Sequence, residues 1–284
     1  MKKVSNRSYA KVNLTLDLLG KAENGYHEIR TVMQSISLFD MITVYKKTSG
    51  IELSSNIPYL PLDSENIAYK AAQAFFDYTG IKSGINIDIA KRIPVGAGLA
   101  GGSSNASAVL KSMNELFETG LSLKELCSIG AKLGSDVPFC ILGGTRLAEG
   151  FGEKISSLPK ISKCGVLIAK PPFSVSTREA YEKSDTYRGE LLRPDTELVI
   201  EGLHCKNLRM IAQGMGNSFE SIIAAEHPVI EIIKEEMLER GALAAQMSGS
   251  GPTVFGIFTN VTKARIAKQE LWEKYKTVYL CTTV

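Results

Sequence analysis

From residue 10 to 19 hydrophobic and polar positions alternate imperfectly, with Val12, Leu14, Leu16 and Leu18 set against Lys11, Asn13, Thr15 and Asp17. A period of two predicts a strand with one buried face. Asn24-Gly25 marks a turn, a second β-rich stretch covers 27–45 and a third lies around 51–53, so the first fifty residues predict an antiparallel sheet. The period then changes. Ile67, Ala71 and Phe75, with Ala68, Ala72 and Phe76, fall at helical spacing behind a cap at Asp63 or Ser64 and ahead of a stop at Gly80. A strand over 85–89, a glycine-rich turn, a helix over 103–117 and another opened by the capping box Ser122-Leu123-Lys124-Glu125 complete a mixed α+β first half.

After Gly143-Gly144 the pattern is β-rich to about Ala169, with the most linker-like stretch at 158–163. Helices are predicted near 177–184, 217–225 and 229–240, followed by strand, glycine turn and strand over 242–258, a helix and a final strand. That order predicts a ferredoxin-like sandwich. Two domains are therefore expected, 1–160 and 161–284.

Composition narrows the class. With 44% hydrophobic and 22% charged residues among 284, the chain sits near globular averages. A formal charge of +3 is too small for nucleic-acid binding as a whole-surface property, so any anion site is local. Cys127, Cys140, Cys164, Cys205 and Cys281 are odd in number and lack CxxC spacing, which predicts reduced, mostly buried thiols in place of disulfides or zinc. The N-terminus, Met1-Lys2-Lys3-Val4, precedes no apolar run of signal-peptide or membrane-span length, and a cytoplasmic protein is expected.

The most informative segment is Pro94-Val95-Gly96-Ala97-Gly98-Leu99-Ala100-Gly101-Gly102-Ser103-Ser104-Asn105. Four glycines in seven residues let backbone amides approach a ligand closely, and the helix that follows points its positive end at the same place. Phosphate is the natural occupant. Gly96, Gly98 and Gly101 also satisfy G-x-G-x-x-G, but a dinucleotide fold needs a fully buried parallel strand running into the first glycine. Here Ile85 to Ile89 alternates with polar residues and is followed by Lys91-Arg92-Ile93-Pro94. A Walker A loop fails because Gly102-Ser103 stands where Lys-Ser or Lys-Thr is required.

The segment resembles the second motif of the GHMP kinases. Its string Gly-Leu-Ala-Gly-Gly-Ser-Ser-Asn-Ala resembles one branch of them, the 4-diphosphocytidyl-2-C-methyl-D-erythritol kinases of the non-mevalonate isoprenoid precursor pathway. Ala100 stands where that branch usually has glycine, which calls for negative φ at that position. Ser8-Tyr9-Ala10-Lys11-Val12-Asn13-Leu14 resembles the first motif, Gly134-Ser135-Asp136-Val137-Pro138-Phe139 the segment of the catalytic aspartate, and Ser248-Gly249-Ser250-Gly251-Pro252-Thr253 the third motif. The resemblance covers essentially the whole chain.

It implies a two-domain fold, with an N-terminal half like domain 2 of ribosomal protein S5, a ferredoxin-like C-terminal half and an active site in the cleft between them. It further implies that Asp136, at a helix start capped by Ser135, takes the acceptor's proton while Lys11 keeps that carboxylate ionised. ATP would lie on residues 94–105, with Asn66 and Lys91 nearby and Lys91 supplying the cation that the loop lacks. Mg²⁺ is expected, with no carboxylate ligand to name and Ser103 and Ser104 as candidates. A cytidine diphosphate acceptor is implied too, with Asn13 and Thr177 close to it, Tyr26 and Tyr181 stacking on its base and His27 reading the ring edge. Other readings are a GHMP kinase for homoserine or mevalonate, and a non-enzymatic RNA-binding protein.

Overall fold

The structure, a computed structural model, describes residues 2–23 and 25–284; Asn24, half of the predicted first turn, lies outside them. In order the elements are β1 (Lys3–Lys21), β2 (His27–Lys47), β3 (Ile51–Ser55), α1 (Ile67–Thr79), β4 (Gly84–Ala90), α2 (Gly101–Leu116), α3 (Leu123–Ala131) and α4 (Asp136–Leu142). There follow β5 (Thr145–Gly150), β6 (Lys154–Ser157), β7 (Gly165–Ala169), α5 (Thr177–Thr186), α6 (Thr196–His204), α7 (Leu208–Gly214), β8 (Gly216–Asn217) and α8 (Ser218–Glu226). The chain ends with α9 (Val229–Glu239), β9 (Ala244–Met247), β10 (Val254–Phe258), α10 (Val261–Tyr275) and β11 (Val278–Thr282). Two compact units interleave along it: one holds 2–10, 38–94 and 100–143, the other 11–37, 95–99 and 144–284.

In the first unit β4 runs antiparallel to the end of β2, from Met41 opposite Ala90 to Lys47 opposite Gly84. The third β-stretch departs from the antiparallel expectation, because β3 pairs parallel with β4 from Ile51–Ile85 to Ser55–Ile89. Alternation fixes which face is buried and not strand direction; a parallel pair needs a crossover, which α1 supplies. Ile85, Ile87 and Ile89 face inward with Ile42 and Val44, and α1 and α2 cover them with Phe75, Phe76, Val109 and Met113.

Asn66, and neither Asp63 nor Ser64, caps α1: its Oδ1 accepts from the Ala68 amide at 2.9 Å. Asp63 instead accepts from the Glu65 amide at 2.9 Å, making the turn that leads into the helix. The stop at Gly80 (φ 70°) and the Ser122–Glu125 capping box are as predicted. Ser135 makes no side-chain cap to α4, because its own backbone is already helical. Helix α2 starts two residues earlier than predicted, with Ala100 at its N-cap in the left-handed region (φ 54°, ψ 31°). The expectation of negative φ is thus overturned; alanine bears this conformation at about 1–2 kcal/mol. Ala100→Gly should raise the stability of the protein by about 0.5–1 kcal/mol, readable as a shift in the urea midpoint.

In the second unit, β5 pairs with the first part of β2 (Ile29–Gly150 to Gln34–Thr145), and β8 runs parallel to β1 at Thr15–Gly216. A four-stranded antiparallel sheet in the order β11-β7-β10-β9 includes the three strands predicted for the end of the chain. Leu167, Val254, Phe258 and Val278 pack in one core with Phe219 and Ile223 of α8, Ile233 and Met237 of α9 and Leu271 of α10. Helices α6 and α7, absent from the sequence reading, are nine and seven residues long and capped by Asp195 and Asn207. All five cysteines are free thiols; Cys164 and Cys281 are buried, Cys127 and Cys140 half-buried and Cys205 exposed, so burial is less general than predicted.

Candidate active site

Strand periodicity sets Lys11, Asn13 and Thr15 on one face of β1. Lys11 is 4% exposed, and its ammonium donates to Asn13 Oδ1 at 2.7 Å. Asn13 Nδ2 donates to Thr31 Oγ1 at 2.8 Å, and that hydroxyl donates to the Thr15 carbonyl at 2.5 Å. A lysine and an asparagine that would ordinarily face solvent are therefore held rigid inside the protein.

The first half of the glycine loop docks on this strand, the Lys11 amide donating to the Leu99 carbonyl at 3.2 Å. The third glycine motif meets it there. A Cβ on Gly98 (φ 70°) would stand 2.1 Å from the Ser248 carbonyl oxygen, and one on Gly249 (φ 57°) would stand 3.0 Å from the Gly98 oxygen and 3.4 Å from the Lys11 ammonium. Two glycine turns thus touch backbone to backbone beside one buried cation. Two residues that sequence reasoning missed hold the second turn. Asn217 Nδ2 donates to the carbonyls of Met247 and Gly249, each at 2.8 Å, and Glu220 accepts from the Met247 amide at 2.5 Å. Asn217 enters the sequence reading only as the first residue of a predicted helix.

Around the proposed base site, His27 and Tyr181 stack with ring centroids 5.0 Å apart. Tyr181 also packs edge-on against Phe219, while Tyr26, 68% exposed, lies 5.9 Å from Phe151. His27 Nε2 lies 2.8 Å from an oxygen of Asp185, which sequence reasoning passed over; a carboxylate only accepts, so Nε2 carries the proton. Thr177, the first residue of α5, shares a hydrogen bond of 3.0 Å with Ser250 in the third glycine motif.

The first unit carries the rest, apart from residues 95–99, which belong to the second. The amides of Gly101, Gly102 and Ser103 precede the first intrahelical bond of α2, from the Ser104 amide to the Ala100 carbonyl, and point out of its positive end. Pro94 is half-buried, and Val95 and Gly96 are exposed at the lip of the loop while Ala97 and Leu99 are buried anchors. Lys91, expected as a cation beside the phosphates, is instead buried with its ammonium 2.5 Å from Asp40. Burial lowers its pKa, and the Asp40 charge opposes that fall. Asn66 has its amide nitrogen on the Pro61 carbonyl at 2.6 Å, so both ends of its side chain serve the helix start.

The Ser104 hydroxyl accepts from Ser8 at 2.7 Å and donates to the Gly101 carbonyl at 3.1 Å, which turns it inward. Asp136 is half-buried at the first position of α4, where the helix dipole favours a carboxylate. Its turn and the loop share a neighbour: Cβ atoms on Gly134 and Gly102 would stand 3.9 and 3.4 Å from the Ile67 side chain. Among the described residues no group of three or more His, Cys, Asp or Glu could hold a metal ion, and no helix is long and apolar enough to cross a membrane.

Comparison with known proteins accounts for this arrangement. The GHMP kinases N terminal domain matches residues 66–144, and the GHMP kinases C terminal domain matches 199–277. A 4-diphosphocytidyl-2-C-methyl-D-erythritol kinase of Clostridium botulinum is 45% identical over 278 residues, 98% of this chain and 99% of its own. A crystal structure of 4-(cytidine 5'-diphospho)-2C-methyl-D-erythritol kinase superposes with a TM-score of 0.83 at 30% identity, covering 99% of each chain. A homoserine kinase of Cytophaga hutchinsonii, 20% identical with a TM-score of 0.78 over 100% of this chain and 95% of its own, shares the fold. The non-enzymatic reading is set aside: two glycine turns on a buried lysine, both domain matches and full-length similarity place this chain in the GHMP kinases, within the family of the 4-diphosphocytidyl-2-C-methyl-D-erythritol kinases.

Proposed function

We propose that the chain moves the γ-phosphoryl group of ATP onto the 2-hydroxyl of 4-diphosphocytidyl-2-C-methyl-D-erythritol, as a cytoplasmic enzyme. Full-length identity of 45% to a kinase named for that acceptor carries the reading. The acceptor oxygen bonds to the γ-phosphorus as the bond to the β–γ bridging oxygen breaks, ADP leaves, and the hydroxyl proton passes to Asp136. Lys11 neutralises charge on the transferring group. The loop amides and the start of α2 hold the phosphates, for which Gly102 and Ser103 are well suited by their position. Mg²⁺, when bound, would neutralise charge on the phosphates of ATP. Since Ser104 is turned inward, Ser103 is the serine placed to reach it.

Tyr26, His27, Tyr181 and Thr177 bind the cytidine diphosphate end, with Asn13 ordering Lys11 beside it. Tyr181 is built into the core, so its removal lowers stability as well as affinity; exposed Tyr26 separates the two effects. Tyr26→Ala should raise the acceptor KM about tenfold, the equivalent of a stacking contact of roughly 1–3 kcal/mol, and leave the melting temperature unchanged. CDP should compete with the acceptor and not with ATP. Failure of CDP to compete in the wild-type protein would overturn the cytidine reading and leave a GHMP kinase for another alcohol.

A further inference from the structure

Asp40 occupies an unexpected place. It lies on the inward face of β2, in the stripe Leu38, Asp40, Ile42, Val44, and its side chain is wholly buried. A buried carboxylate costs several kcal/mol unless its lone pairs are matched by donors. Four donors meet it. Oδ1 accepts from the amides of Arg92 and Ile93 at 2.6 and 2.7 Å. Oδ2 accepts from Lys91 Nζ at 2.5 Å and, with the Asn105 amide oriented to face its acceptors, from Asn105 Nδ2 at 2.8 Å.

These partners are the two ends of the glycine loop. Residues 91–93 lead into it, and Asn105 is the fifth residue of α2, where its Nδ2 also reaches the Gly101 carbonyl at 3.1 Å. Lys91 presses on the same spot, its ammonium 2.9 Å from where a Cβ on Gly101 would stand. Gly96 and Gly98, both at positive φ, impose little shape of their own, so the segment depends on anchors at its ends as well as on the docking of Leu99.

We propose that Asp40 is a positioning residue for the nucleotide: one carboxylate pins both ends of the glycine loop and engages the Lys91 ammonium, so that Lys91 serves ATP by shaping the loop. The proposal rests on the reading of that loop as the ATP site. Pinning the ends lowers the ordering cost that ATP would otherwise bear on binding. The carboxylate is specifically required, because all four partners are donors. An asparagine could keep the two backbone amides on its oxygen, but it would turn an NH₂ group toward Lys91 and Asn105 and release the α2 end.

Calorimetric titration of ATP and of CDP, separately, into wild-type, Asp40→Asn and Asn105→Leu proteins tests this, with thermal melting alongside. Wild-type protein that fails to bind ATP defeats the parent reading before the variants are compared. The expected result is an ATP Kd raised at least tenfold in Asp40→Asn and several-fold in Asn105→Leu, with the CDP Kd within twofold of wild type. If Asp40→Asn does not fold, Asn105→Leu decides. A lowered melting temperature with unchanged ATP Kd in the folded variant, or equal weakening of ATP and CDP, shows that Asp40 supports only the fold and overturns the proposal.

Discussion

Asp136→Asn is expected to bind ATP and CDP normally and to lose phosphoryl transfer by about 10²-fold or more in kcat. The exchange keeps the shape of the side chain and removes its capacity to take a proton. Asp136 opens α4 without a capping bond from Ser135, and the turn before it borders Ile67, the residue that also underlies Gly102. A neutral amide at a helix N-terminus gives up a favourable charge–dipole contact of roughly 0.3–1 kcal/mol, too little to unfold the protein. The loss therefore falls on chemistry. Single-turnover transfer at near wild-type rate would remove Asp136 from the mechanism.

Gly98→Ala should be as damaging for a different reason. The new methyl would lie 2.1 Å from the Ser248 carbonyl oxygen and 3.1 Å from the Gly251 amide, and both are backbone atoms with no rotamer to give. Gly98 also sits at φ 70°, which costs an L-residue about 1–2 kcal/mol. Relief requires the two glycine turns to separate, which moves Gly249 away from the Lys11 ammonium. A displacement of that kind, on the order of 1 Å, costs about 10²-fold in rate, so kcat/KM should fall at least that far. Because the Asn13–Thr31 bonds behind Lys11 do not involve the loop, the protein should still fold, with a melting temperature a few degrees lower. Wild-type kcat/KM in this variant would mean that the contact between the turns is incidental to catalysis.

What the sequence disclosed follows the range over which each feature is determined. The capping box at Ser122 and the glycine stop at Gly80 are decided within four residues, and both were legible. Glycine motifs were legible because close backbone approach excludes other residues; the 2.1 Å clearance at Gly98 is the physical form of that rule. The cap of α1 was misplaced because Asp63, Ser64 and Asn66 are all good cap residues, and choosing among them takes the tertiary contact of Asn66 with Pro61. Helix α7 is too short for periodicity to register, and the buried face of α6 includes Thr196 and Gly202, which give no apolar signal.

Long-range partners were hidden altogether. Asp40 reads as one polar position in an alternating strand, and its donors are 51 to 65 positions further along. Lys91 was read by the same logic as an available cation, whereas folding commits it to Asp40. Asp185 and Glu220 likewise acquire meaning only through His27 and the Met247 amide.

Transfer of label from γ-labelled ATP to purified 4-diphosphocytidyl-2-C-methyl-D-erythritol tests the proposed activity most directly, with homoserine and mevalonate offered in parallel. Label should pass to the cytidine diphosphate compound with ADP formed in equal amount, while the other alcohols stay unlabelled. Label appearing on homoserine or mevalonate, or released only as inorganic phosphate while the cytidine compound stays unlabelled, would contradict it.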